Sequence, residues 1–256
     1  MAERRASEES AAAERLRRPA FYAAGPGRAW REWWTVLHPP YTAWHLGYVV
    51  IGASLAPEGD LVPLAGSLLA FFLAVGVAAH CLDELHGRPL STSISSAALG
   101  VASVAGLGGA VALGVFGVLR VGLVLLPFIV VGVVLVVAYD MELFHGAVHR
   151  DAVFALSWGS FPVLVGYVAE ARTLAPAAVL AAAAAYALSR AQRSLSARAR
   201  LVRRSADHVE GVMVTRRAGI RRIDEAFLIE PLEQALHALS WGVVALAASL
   251  ALVRFA

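Results

Sequence analysis

The chain has 256 residues, 59% of them hydrophobic, and a mean hydropathy of +0.65. Soluble globular domains are closer to half apolar. Several windows of at least ~18 residues carry no charge, and each is long enough to cross ~30 Å of hydrocarbon. These values exclude an ordinary soluble domain, and the sequence lacks the short alternating segments of a membrane β-barrel. We therefore predict an all-α protein, a polytopic bundle of transmembrane helices.

A charged arm precedes the first apolar run. Residues 1–35 lack the apolar stretch of ~7–15 residues that a cleavable signal peptide requires. We predict that they form a cytosolic arm and that residues 36–256 form a single transmembrane domain. Seven spans are predicted in this domain, at 41–56, 61–82, 95–115, 119–139, 152–169, 174–190 and 235–254.

Arginine accounts for all 22 basic residues, and its placement orients the bundle. Cytoplasmic segments of membrane proteins are enriched in basic residues. Arginine is concentrated in the N-terminal arm and in residues 190–233, and six predicted spans separate the two segments. Both segments, and with them the N-terminus, are therefore predicted to face the cytoplasm.

The second predicted span ends in the polar phrase HCLDELHGRPL. If the helix continues through this phrase, His80, Asp83 and Glu84 have the i, i+3, i+4 spacing of one helical face. Ionisable groups at membrane depth are costly, and they usually face the bundle interior and mark a site. A solvated polar helix end is the alternative interpretation.

A second polar cluster, AYDMELFHGAVHRD, ends the fourth predicted span on the same side of the membrane. Its Glu142, His145 and His149 have the i, i+3, i+7 relation of one helical face. Imidazole and carboxylate groups together suit iron or zinc, whereas carboxylates and water suit Mg²⁺. The cluster is consistent with a metal site or with a polar loop between two spans.

Ten arginines follow between residues 190 and 222. Guanidinium groups pair with phosphate oxygens in a bidentate way, which favours a phosphate or diphosphate ligand. Positive-inside topology and attraction to anionic headgroups explain most of these arginines better than a phosphate ligand does. Arg190 and Arg193, on consecutive turns, are the best phosphate-binding candidates. We expect residues 205–233 to form an amphipathic surface helix or a lid over a cavity.

The order of these phrases resembles the UbiA-type intramembrane prenyltransferase superfamily. HPPYTAWHLGYVVIGASLA is similar to the start of that family's first helix, and HCLDELHGRPLSTSIS is similar to the end of its second helix. AYD followed by WGSFPVLVGYVA is similar to its fourth and fifth helices. The resemblance covers residues 36 to 190. It departs from the family where a second aspartate motif should end the sixth span, because the chain reads SRAQRSLSARAR there.

The resemblance implies a helical bundle around a cavity that opens to the cytoplasm. In such a cavity Mg²⁺ holds an isoprenoid diphosphate while the prenyl chain is transferred to an acceptor. The implied metal ligands are Asp83 and Glu84. The implied catalytic residues are His80, Asp83, Glu84 and Tyr139, and the implied substrate-binding residues are His38, Arg88, Arg190 and Arg193.

Two other functions stay open at this point. One is a membrane metalloenzyme that binds iron or zinc, and its candidate ligands are His80, Asp83, Glu84, His86, Glu142, His145 and His149. The other is a non-catalytic lipid-binding protein of the same fold. We expect an integral protein of a prokaryotic cell membrane, with an isoprenoid diphosphate or another lipid as substrate, membrane lipids as partners and no nucleic acid.

Overall fold

A computed structural model describes residues 19–24, 28–143, 145–217 and 219–256. Of the predicted cytosolic arm, residues 1–18 and 25–27 lie outside this described part. The helices are α1 (Ala29–Val36), α2 (Pro39–Ser54), α3 (Leu61–Leu85), α4 (Ser96–Val121), α5 (Leu123–Asp140), α6 (Asp151–Ala171), α7 (Pro176–Ser205) and α8 (Glu225–Phe255). Two short strands, β1 (Gly211–Thr215) and β2 (Gly219–Ile223), form an antiparallel hairpin between α7 and α8.

Within the described residues, five helices are long and apolar enough to cross a membrane, namely α3, α4, α5, α6 and α8. The protein is therefore an integral membrane protein of the all-α class, as predicted. The other two predicted spans coincide with α2 and α7. The 16 residues of α2 extend only ~24 Å at ~1.5 Å per residue, and the second half of α7 is rich in arginine. The total of seven spans stays a prediction.

The centre of the bundle is α2, which packs mainly against α6 and α8. Trp44, Tyr48 and Val49 of this helix are at most 1% exposed. Two glycines allow the backbones of α2 and α6 to approach closely. A Cβ atom on Gly52 would overlap the carbonyl oxygen of Val163, and one on Gly166 would overlap that of Val49. Small residues are typical of such close contacts between membrane helices.

Two of the spanning helices widen into π-helical turns at the same end of the bundle. The turn in α3 covers Phe72–Ala79 and directly precedes His80, and the turn in α6 covers Leu156–Ser160. π-Helical turns are rare and are frequently found at functional sites. A functional site is therefore expected at the end of the bundle where α3 ends and α6 begins.

The predicted amphipathic helix is wrong for Gly211–Thr215 and Gly219–Ile223, which are the two strands of the β-hairpin. The β-branched residues Val212 and Val214 favour extended backbone, and Gly219, with φ of +71°, supplies the left-handed residue of the turn. Of the predicted helix, only Ser205, the last residue of α7, and residues 225–233, the first turns of α8, are helical.

The close contact between α2 and α6 predicts the effect of adding one methyl group. Gly166→Ala is expected to lower the free energy of unfolding by about 1–3 kcal/mol, because overpacking strains a tightly packed site. Gly100→Ala is the matched control, since a Cβ there has no neighbouring atom within 4 Å. Thermal unfolding of the purified protein in detergent measures both. Equal unfolding temperatures would contradict the close packing.

Candidate functional site

A polar cavity of about 330 Å³ lies where α2, α3, α5, α6, α7 and α8 meet at one end of the bundle. The N-terminal residues Pro19 to Tyr22 also line it. The backbone carbonyl of Pro19 accepts a hydrogen bond from Arg204 Nε at 3.3 Å, which ties this segment to α7. The polar and charged lining residues are Tyr22, His38, Tyr41, His45, His80, Asp83, His86, Tyr139, Asp140, Glu142, His149, Gln192, Arg193, Ser196, Arg200, Arg203, Arg204 and Glu233.

Several residues singled out from the sequence meet in this cavity. They come from four separate segments of the chain and include His38, His80, Asp83, Tyr139 and Arg193. His86, Glu142 and His149 also line it, with His86 and Glu142 exposed at the rim. The two polar clusters, which are more than 50 residues apart in sequence, therefore contribute to one site.

Backbone carbonyls of the two π-helical turns orient two histidines. His45 Nδ1 lies 2.8 Å from the carbonyl oxygen of Trp158, and His80 Nδ1 lies 3.2 Å from that of Gly76. A carbonyl oxygen only accepts hydrogen bonds, so in each ring Nδ1 is the donor and carries the hydrogen. This leaves Nε2 of each neutral ring as an acceptor.

His38 stacks on His80, with ring centroids 4.2 Å apart and an interplanar angle of 29°. Its backbone is left-handed, with φ of 47°, where the chain turns from α1 into α2. Burial lowers the pKa of His38 well below its ordinary value, and neighbouring His80, Arg204 and Arg200 act in the same direction. His38 therefore offers a hydrogen-bonding site rather than a permanent charge, and its Nε2 is buried without a hydrogen-bond partner in the described part of the chain.

Three further polar atoms of the cavity are buried without a hydrogen-bond partner in the described part of the chain. They are Asp140 Oδ2, Tyr139 OH and Gln192 Oε1. Their residues are 8%, 4% and 2% exposed, respectively. An unsatisfied buried polar group costs about 1–3 kcal/mol, so four in one cavity, His38 Nε2 included, favour a polar ligand that satisfies them.

The cationic side of the cavity is one face of α7. Arg193, Ser196, Arg200 and Arg204 recur at the three- and four-residue spacings that align side chains on a helix. Arg193 is held in place by an ion pair with Asp151 at 3.0 Å, and it also donates to His149 Nε2 at 3.4 Å.

Three residues of the predicted prenyltransferase site lie elsewhere. Glu84 is fully buried, and its carboxylate accepts hydrogen bonds of 2.9 Å from the backbone of Leu90 and from both the backbone and hydroxyl of Thr92. Arg88 donates to the carbonyl of Ile94 and to the hydroxyl of Ser96, so it fixes the same loop. Arg190 is exposed on α7 and does not line the cavity.

The second predicted cluster does not gather into a metal site. His86 and His149 lie 3.7 Å and 3.8 Å from the two carboxylate oxygens of Glu142, whereas His145 is exposed and does not line the cavity. Among the residues that the structure describes, no group of three or more His, Cys, Asp or Glu side chains is arranged to hold a metal ion.

Other cavity residues were not selected from the sequence. They include His45, Gln192, Arg200 and Arg204. For the arginines a signal was present, because Arg200 and Arg204 continue the helical face that begins at Arg193. His45 had no comparable signal, since an isolated histidine within an apolar run indicates neither its orientation nor its neighbours.

An apolar groove of about 460 Å³ lies next to the polar cavity. It runs between α3, α4, α5 and α6 and is lined mainly by aliphatic and aromatic side chains, including Phe71, Leu107 and Phe161. Val75 and Trp158 line both spaces, so the groove and the cavity are neighbours with a shared wall. Together they present a charged compartment beside a hydrocarbon-like one.

Comparison of the chain with protein-family models, curated proteins and solved structures finds no match. The resemblance to the UbiA-type superfamily therefore stays a prediction based on the sequence phrases alone.

The different environments of Glu84 and Asp83 predict different mutational effects. Glu84→Ala removes the acceptor of three hydrogen bonds to a charged group and is expected to cost more than about 2 kcal/mol of stability. Asp83→Ala, one residue away, is the control and should cost less, because Asp83 lines the cavity instead of holding the loop. Unfolding temperatures in detergent measure both losses. A larger loss for Asp83→Ala would contradict this assignment.

Proposed function

We propose that the protein is an integral-membrane prenyltransferase that binds an isoprenoid diphosphate and transfers its prenyl chain to an acceptor. The observation that carries the proposal is the shared wall, formed by Val75 and Trp158, between the cationic cavity and the apolar groove. A diphosphate head and a hydrocarbon chain are the two halves of such a substrate, and each half has a matching compartment.

The polar cavity suits the diphosphate. Arg193, Arg200 and Arg204 face it from α7, and guanidinium groups bind phosphate oxygens in a bidentate way. Electrostatic interactions are stronger in a partly desolvated cavity than in water. Groups placed in advance where negative charge develops on the leaving diphosphate would lower the barrier to its departure.

The reaction breaks the bond between the first prenyl carbon and a diphosphate oxygen. The acceptor forms a new bond to that carbon and gives up one proton, and diphosphate leaves. His80 and Asp83 are the side chains that we assign to receive this proton, directly or through the departing diphosphate. Tyr139 and Trp158, whose ring centroids are 5.9 Å apart, provide π-faces that favour positive charge on the prenyl carbon.

The Mg²⁺ implied by the resemblance is not supported by the donor set. Of the two carboxylates predicted to bind it, only Asp83 lines the cavity, while the loop occupies both oxygens of Glu84. Where the family's second aspartate motif would stand, α7 carries Arg190, Gln192 and Arg193. The residues present do not fit a two-motif magnesium site, and we assign no step to a metal.

The two alternatives differ in their support. An iron or zinc enzyme is disfavoured by the exposed position of His145 and by the lack of a three-ligand group among the described residues. A non-catalytic lipid-binding protein is the second candidate, because the same cavity and groove support binding without turnover.

We also propose that the arginine-rich end of the bundle and the N-terminus face the cytoplasm of a prokaryotic cell.

Turnover distinguishes the two candidates. Purified protein in detergent micelles or nanodiscs is given isoprenoid diphosphates of increasing chain length, and diphosphate release is measured. We expect release by the unmodified protein and a loss of at least about tenfold, or ~1.4 kcal/mol, in Asp83→Asn and His80→Gln. Binding without release would favour the lipid-binding candidate, and neither binding nor release at any chain length would refute the prenyltransferase.

The groove makes a separate prediction. Ala110→Phe places a ring into the groove and should weaken the binding of long-chain isoprenoid diphosphates while leaving that of inorganic pyrophosphate unchanged. Ala112→Phe is the matched control, because Ala112 lies on the same helix but is exposed outside the groove. Competition binding with ligands of several chain lengths measures the effect. Equal affinities in the two variants would show that the chain lies elsewhere.

A further inference from the structure

We infer that Arg200 and Arg204 form a subsite that binds the oxygens of a diphosphate directly, without a divalent cation. The inference deepens the proposed function, on which its assignment to an isoprenoid substrate rests. It departs from the magnesium-based site that the sequence resemblance implies.

Neither arginine is neutralised within the described chain. Arg200 donates to the hydroxyl of Ser196 at 3.1 Å, and Arg204 donates to the carbonyl of Pro19 at 3.3 Å. No described carboxylate lies within ion-pair distance, 4.0 Å, of either guanidinium, although Asp83 and Asp140 line the same cavity. Each guanidinium therefore retains free N–H donors.

Arg203, the residue next to Arg204 on α7, differs from Arg200 and Arg204 because a carboxylate neutralises its charge. Arg203 forms a bidentate ion pair with Glu233 of α8, with contacts of 2.6 Å and 2.8 Å, and its side chain is only 4% exposed. This pair joins α7 to α8 beside the cavity. Arg200 and Arg204, one turn apart on the cavity side, have no such partner on α8.

Leaving the guanidinium groups of Arg200 and Arg204 unpaired is unfavourable in free energy when no anion is bound. Like charges at i and i+4 on a helix destabilise it, and burial together with Arg193 and Arg204 lowers the pKa of Arg200. A diphosphate would offset both effects, because its oxygens can pair with the two guanidiniums at once. The arrangement has the electrostatic character of an anion site.

The carboxylates do not form an alternative site that would bind the diphosphate through a metal ion. Both carboxylate oxygens of Glu84 accept hydrogen bonds from the loop at Leu90 and Thr92, and the described residues contain no group of three or more His, Cys, Asp or Glu side chains arranged to hold a metal ion. We therefore assign to Arg200 and Arg204 of α7 the role that Mg²⁺ has in the prenyltransferase mechanism implied by the resemblance.

Equilibrium binding of inorganic pyrophosphate to the full-length protein in detergent tests the inference. The titration is done in EDTA and again with excess Mg²⁺. We expect binding of similar affinity under both conditions, and an affinity at least about tenfold weaker in Arg200→Gln and in Arg204→Gln, because each loses charge-assisted hydrogen bonds. Arg190→Gln is the matched control, since it removes the same charge from an exposed position on the same helix.

The outcomes separate this inference from the proposed function. Binding that requires Mg²⁺ and is lost in Asp83→Asn would overturn the inference, as would no binding under either condition. Unchanged affinity in both cavity arginine variants would overturn it too. Metal-independent binding with no turnover of any isoprenoid diphosphate would instead support the subsite and refute the prenyltransferase. Unfolding temperatures of the variants exclude loss of fold as the cause.

A phospholipid headgroup has the same phosphate chemistry, and a further arm distinguishes it. Phosphatidylglycerol in mixed micelles is added as a competitor to the protein loaded with pyrophosphate. We expect little displacement by the lipid and full displacement by an isoprenoid diphosphate. Displacement by low mole fractions of phosphatidylglycerol would overturn the diphosphate assignment and give the site to a membrane lipid.

Discussion

The free-energy cost of placing ionisable side chains at the ends of apolar helices is the constraint on which the rest of this structure depends. Such groups need partners or a shared polar space. Some of these groups form ion pairs, such as Arg203 with Glu233. The others line a common polar cavity. The unpaired atoms of Asp140, Tyr139 and Gln192 are therefore best explained as a binding surface.

The scaffold supports this cavity through irregular backbone. Close contact at Gly52 and Gly166 brings α2 against α6, and the π-helical turn in α6 presents the carbonyl of Trp158 to His45. The turn in α3 does the same for His80 through Gly76. Trp158 also belongs to the wall of the apolar groove, so one short segment orients a histidine and separates the two compartments.

The helical class was predictable because apolar length alone indicates membrane spans, and the helical spacing of His80 and Asp83 agrees with their both lining the cavity. Spacing could not distinguish Asp83 from Glu84. Consecutive residues point about 100° apart on a helix, so one can face a cavity while the next faces a loop. The positions of Arg200, Gln192 and Asp140 depend on how α5 and α7 are packed, which periodicity within one helix does not specify.

The most direct test of the account locates a bound chain and its head at the same time. The protein is labelled with an isoprenoid diphosphate that carries a photoreactive group at the end of its chain, and cross-linked peptides are identified by mass spectrometry. We expect labels on groove residues such as Leu107 and Phe161, and their loss when pyrophosphate is added in excess. Labels confined to the lipid-exposed face at Val101 and Val104, or insensitive to pyrophosphate, would contradict it.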